Sequence, residues 1–140
     1  MKILVAVDGS VYTKRMLAYI AAHDEWLGDR HDYTLLHTVQ PVPHGAVAIL
    51  GRAALKPFYD EAAEKVFKPL RSFFSRQGLR ASFSAKVGAP ADCIAEAARK
   101  GGYDLVMMGS RGHGSLGGLV LGSVTNKVLA PCTTPVLLIR

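Results

Sequence analysis

Apolar positions along the chain fall into short runs of two alternating kinds. Ile3 to Val7 and Asp104 to Met108 are aliphatic, largely continuous stretches, the form taken by a strand that helices cover on both faces. Tyr33 to Val39 is a further β-rich run, ended by Gln40-Pro41-Val42-Pro43, whose prolines forbid continuation of a ladder. Arg80 to Val87 alternates polar and apolar, as a more exposed strand does, and Pro135 to Ile139 is the last strand. Between these runs the spacing becomes helical. Met16, Leu17, Ile20, Ala21 and Leu27 predict one helix ending at Gly28. Phe58, Ala62, Val66, Leu70 and Phe74 predict a second, running to Gly78. Pro90 opens a third, with Ile94, Ala95, Ala97 and Ala98, stopped by Gly101-Gly102, and Val124 to Leu129 is a fourth. Pro69 lies inside the second helix, where it removes the bond to the Lys65 carbonyl at a cost of about 3 kcal/mol, so a kink or two shorter helices are expected.

The alternation β-α-β-α-β-α-β-α-β implies parallel pairing with right-handed crossovers and helices on both faces of one open sheet. This is a doubly wound α/β fold, a five-stranded parallel sheet in an α/β/α sandwich, and its ligand crevice lies beyond the carboxyl ends of the strands where the winding reverses. The loops after the first and fourth strands therefore carry the interest. At 140 residues the chain is expected to form a single domain, residues 1–140. No apolar run approaches the roughly 20 residues of a membrane helix. The opening Met1 to Asp8 reads as a strand rather than a signal peptide, so a cytoplasmic protein without membrane insertion is expected.

The net charge of +6 raises the question of an anionic partner. The densest basic stretch, Lys65, Lys68, Arg71, Arg76 and Arg80, is interleaved with Glu61 and Glu64, which reads as the solvated face of a helix, and no nucleic-acid partner is expected. Cys93 and Cys132 lack the spacing of a metal or redox motif and are expected to be reduced and buried. His23, His31, His37 and His44 show no metal spacing.

Gly109-Ser110-Arg111-Gly112-His113-Gly114-Ser115-Leu116-Gly117-Gly118-Leu119-Val120-Leu121-Gly122-Ser123 follows the fourth strand and holds six of the fourteen glycines. Glycines let main-chain amides approach an anion without an intervening Cβ, and the start of the next helix adds partial positive charge. Ser123 is suited to cap that helix, and Arg111 adds a cation. The same composition also suits a flexible linker with an ordinary cap. There is neither a Walker ending nor a dinucleotide fingerprint.

The spacing Gly109-x-x-Gly112, nine residues, then Gly122-Ser123, set between Asp104 to Met108 and Pro135 to Ile139, resembles the universal stress protein family. The likeness includes the Ile3 to Asp8 opening and Gly88-x-Pro90, and so spans essentially the whole chain. It implies the adenine nucleotide alpha hydrolase-like strand order 3-2-1-4-5 and an adenine nucleotide, usually ATP, with any Mg or Mn held mainly by its phosphates. By position it places Gly109, Gly112, Gly122 and Ser123 around the phosphates, with Met108, Arg111 and Val124 adjoining. Asp8 would approach the ribose, flanked by Val7 and Ser10, and Thr38 would meet the adenine edge through its backbone. Asp8 also suits a turn or cap beside Ser10, and His113 suits either a phosphate or solvent. The resemblance further implies a homodimer through the last strand.

Three kinds of function remain. A regulatory nucleotide binder needs only the cradle. A slow ATP hydrolase would have Arg111, His113 and Asp8 to work with. A phospho-acceptor receiver domain would need clustered acids and a lysine that the strand ends here lack. Residues 41 to 52, with the apolar Ala46 to Leu50, are expected to be a long loop acting as a lid or partner surface.

Overall fold

Five parallel strands, β1 (Lys2–Ala6), β2 (Asp32–Val39), β3 (Arg80–Val87), β4 (Leu105–Gly109) and β5 (Val136–Ile139), form one sheet in the order β3-β2-β1-β4-β5 in the computed structural model. It describes residues 1–114, 118 and 120–140. Among the described residues six α-helices connect the strands: α1 (Val11–Ala22), α2 (Asp24–Leu27), α3 (His44–Leu50), α4 (Leu55–Arg76), α5 (Pro90–Gly101) and α6 (Ser123–Leu129). The order is the one expected, with β1 in the middle and the winding reversing between β1 and β4.

The period-2 geometry of the strands divides their side chains between two cores. Ile3, Val5, Val7, Tyr33, Leu35 and Met107 pack with Met16 and Ile20 of α1 and with Ala63, Phe67, Leu70 and Phe74 of α4. Leu4, Leu36, Val106 and Met108 pack on the other face with Ala91, Ile94 and Ala98 of α5 and Val128 of α6. β1 is enclosed because both faces are covered, which is why its sequence is continuously apolar. β3 is an edge strand, and its alternating exposure matches its alternating sequence.

Several local expectations are corrected. The first helix is interrupted at His23, whose backbone leaves the helical region and whose imidazole stacks on Tyr19 with ring centroids 4.0 Å apart. The resulting turn starts α2 and delivers Leu27 to the core with no exposure. Residues 41 to 52 are not one long loop: they contain α3, followed by a 3-10 turn at Arg52–Ala54. The long helix begins at Leu55 and continues through Pro69 as a single element. Lys65 and Pro69 both lie on its exposed face, so water can take the place of the missing N–H while Phe67, Leu70 and Phe74 hold the buried face in register. The charges on that helix are locally compensated, with Lys65 against Glu61 at 3.7 Å and Arg71 against Glu64 at 3.4 Å. Cys93 and Cys132 are free but only half-buried, rather than buried as expected, and Cys132 packs at the margin of the second core. No helix among the described residues is long and apolar enough to cross a membrane.

Candidate functional site

Strand register brings the carboxyl ends of the three middle strands to one level. Ala6 is aligned with Leu36 of β2 and Met108 of β4, so Asp8, Thr38 and Ser110, each two positions further on, meet at the edge of the sheet. Strand alternation puts Asp8 and Thr38 on the face that carries Leu4, Leu36 and Met108, the α5 and α6 side. Met108 is buried there.

The turn after β1 is built around one carboxylate oxygen. Gly9 adopts φ +77°, a conformation that side chains oppose, and reverses the chain. Asp8 Oδ1 then accepts from the Ser10 N–H at 2.9 Å and from the Thr13 hydroxyl at 3.1 Å. Thr13 Oγ1 in turn accepts from the N–H groups of Asp8 and Gly9 at 3.1 and 3.2 Å. Ser10 caps α1, its hydroxyl accepting from the Tyr12 N–H at 3.2 Å. Asp8 thus fills the turn role with Oδ1, while Oδ2 takes part in no hydrogen bond among the described residues and keeps its capacity to accept.

The glycine loop is pressed against this turn. A Cβ on Gly112 would come 2.6 Å from Asp8 Oδ2, and one on Gly109 would come 2.6 Å from the Tyr12 Cβ and 2.9 Å from the Arg111 carbonyl oxygen. A Cβ on Gly122 would meet the Arg111 Cα at 3.2 Å. Close approach to backbone and to the Tyr12 Cβ leaves no room for a side chain at Gly109, Gly112 stands against the end of the Asp8 side chain, and Gly122 makes a tight contact with the Arg111 backbone; none has a positive φ. His113 Nε2 donates to the Asp8 carbonyl oxygen at 2.8 Å, tying loop to turn. Thr125 Oγ1, on α6, lies 3.1 and 3.2 Å from the Gly109 and Ser110 carbonyl oxygens and ties the helix to the end of β4. Gly117, part of the glycine cluster, lies outside the described residues.

The cap of α6 differs from the expected one. Gly122 occupies the N-cap position and Ser123 is the first helical residue. The Gly122 N–H donates to the Ser110 carbonyl oxygen at 2.7 Å and Gly122 is extended, so the helix starts at Ser123, one residue earlier than expected. No side chain caps α6, so its first amides keep their donors, and the exposed Ser123 hydroxyl stands beside them.

Other residues are placed differently. The Val7 side chain belongs to the opposite core, its N–H donates to Leu36 and its carbonyl oxygen accepts from His37 Nδ1 at 2.8 Å. His37 is thereby a strand-to-strand tie. Val124 packs on the second core beside Met108. Arg111 lines a cleft of about 280 Å³ on the α1 side of the loop. Thr13 and Thr125 were missed by the sequence reading; a threonine three residues after Ser10 and one three residues after Gly122 were the available signals.

The model of the Universal stress protein family matches residues 1–140. This chain belongs to the universal stress protein family. A universal stress protein of Thermus aquaticus is 36% identical over 143 residues, covering 99% of this chain and 97% of that one. Universal stress protein UspA from Lactobacillus plantarum superposes with a TM-score of 0.80 at 21% identity, over 100% of this chain and 97% of that one. A family protein from Arabidopsis thaliana, crystallised with AMP bound, superposes at 0.70 with 16% identity, covering 99% and 90% of the respective chains. The last two likenesses concern the fold.

Proposed function

We propose that this universal stress protein binds an adenine nucleotide between the β1–α1 turn and the glycine loop, and serves as a regulatory binder in a stress response. The carrying observation is the pairing of Asp8 Oδ2, which is without a partner among the described residues, with the uncapped first turn of α6 and the bare loop backbone beside it. A carboxylate suits sugar hydroxyls and a set of amides suits phosphate oxygens, so the donors and acceptors fit a nucleotide better than either group alone. Met108, Val124 and the Thr38 strand end would take the apolar and edge contacts of the base. Gly109, Gly112, Gly122 and Ser123 would lie at the phosphates, with Val7 and Ser10 supporting the turn and His113 holding it to the loop. ATP is the expected ligand, with Mg or Mn held mainly by its phosphates. The 140 residues act as one domain and pair as a homodimer through β5 in the cytoplasm.

Titration calorimetry with ATP, ADP, AMP and cyclic AMP tests this, repeated on Asp8→Ala. We expect saturable binding that weakens at least about tenfold in the variant, the size of a lost hydrogen bond to a charged group. No heat with any of the four would refute nucleotide binding. Chromatography of bound ATP after long incubation distinguishes a binder, which returns ATP, from a hydrolase, which returns ADP.

A further inference from the structure

On the α1 side of the loop, the space lined by Tyr12, Arg15, Ser110, Arg111, Val120 and Arg140 measures about 280 Å³. We propose that this cleft is a second binding element, for a phosphoryl anion carrying more than one negative charge. Three segments distant in sequence supply its cations. Register aligns Gly109 with Ile139, so Ser110 and Arg140 follow side by side at the ends of β4 and β5. Arg15 comes from α1, its guanidinium held 5.2 Å from the centre of the Tyr12 ring, a contact that positions the group without neutralising it.

None of Arg15, Arg111 and Arg140 forms an ion pair among the described residues, whereas Arg71 and Arg80 on other surfaces do. Like charges converging on one cleft repel, and a monovalent carboxylate would leave most of that repulsion in place; a di- or triphosphate would remove it. The planar guanidinium fork also matches phosphate oxygens in bidentate fashion. Ser110, at the end of β4, is 2% exposed and also lines the cleft. The volume corresponds to roughly nine waters at ~30 Å³ each, room for several phosphoryl groups.

Such an anion has two possible sources, a free polyphosphate or the terminal phosphates of a nucleotide seated on the loop that Ser110 and Arg111 begin; only the second rests on the function proposed above. Calorimetric titration with sodium tripolyphosphate, at ionic strength fixed with chloride, tests the cleft directly. We expect saturable binding to the unmodified protein, weakened at least about tenfold by Arg15→Ala or Arg140→Ala and partly restored by Arg15→Lys. Arg15 and Arg140 are exposed, so thermal melting should show both variants folded. No uptake of tripolyphosphate, or unchanged uptake in the Arg15→Ala/Arg140→Ala double variant, would overturn the proposal. Competition between tripolyphosphate and ATP, with ATP but not AMP weakened by Arg15→Ala, would identify the nucleotide's own phosphates as the occupant. Simultaneous binding beside saturating ATP would identify a free anion. Failure of AMP to bind would count only against the nucleotide reading, because the tripolyphosphate measurement does not depend on it.

Discussion

At Gly112 the loop after β4 passes so near the Asp8 carboxylate that a methyl group would sit 2.6 Å from Oδ2. Gly112→Ala must therefore push either the loop or the carboxylate aside. We expect it to lower stability by about 1–3 kcal/mol, as overpacking does, and to weaken nucleotide binding about tenfold or more. Gly114, two positions on, has nothing within 4 Å of where its Cβ would stand, so Gly114→Ala should leave both unchanged. Urea denaturation and calorimetry on the two variants check the contrast; equal behaviour would mean that the contact with Asp8 does not shape the site. The positions of these glycines were legible in the sequence, but the reason for them was not. Openness to a ligand was the argument from composition, whereas the structure shows backbone packed against Tyr12, Asp8 and Arg111. Which neighbour a missing Cβ makes room for depends on atoms about a hundred residues away.

Among elements, the junction of α2 with β2 carries a titratable bond. Tyr33 is 1% exposed, and its hydroxyl donates to the Leu27 carbonyl oxygen at the end of α2. Burial pushes its pKa up from 10.0 to about 12 because the phenolate would lose its hydration. The folded state thus holds the proton more tightly than the unfolded chain. The neutral Tyr33 contributes its stability in full below pH 10 and loses it as pH rises towards 12. Two units correspond to roughly 2–3 kcal/mol. Urea melts between pH 9 and 12 should show an alkaline loss that is smaller in Tyr33→Phe; equal slopes in the two proteins would refute the assignment. Helix periodicity predicted that α1 and α4 exist, yet it mistook their extents. α1 ends at His23, whose backbone leaves the helical region, and α4 continues through Pro69 because its buried face outweighs one missing bond on the wet face. Helix α3 went unseen because it buries none of its residues and so leaves no one-sided apolar pattern, with Ile49 87% exposed.

For the whole molecule, the sheet order leaves β5 at an edge, paired only with β4, and its outward backbone groups are open to a second chain. With Val136 to Leu138 half-buried, a second copy joining there would extend the sheet and cover apolar surface. Multi-angle light scattering at tens of micromolar should give twice the 15.0 kDa of one chain, and a monomer mass would refute the homodimer. The alternation of strand and helix, and with it the doubly wound class, was determined by the sequence alone, since each element's burial is written in its own periodicity. The glycine-rich loop after β4 was likewise marked locally, by its composition. Only the tertiary structure decided that His113 reaches the Asp8 carbonyl from 105 positions away, that Thr13 and Thr125 hold the two halves of the site, and that Arg15, Arg111 and Arg140 face one cleft. Periodicity records which side of an element is buried, while contacts between distant segments follow from strand register and core packing, which no single stretch of sequence contains.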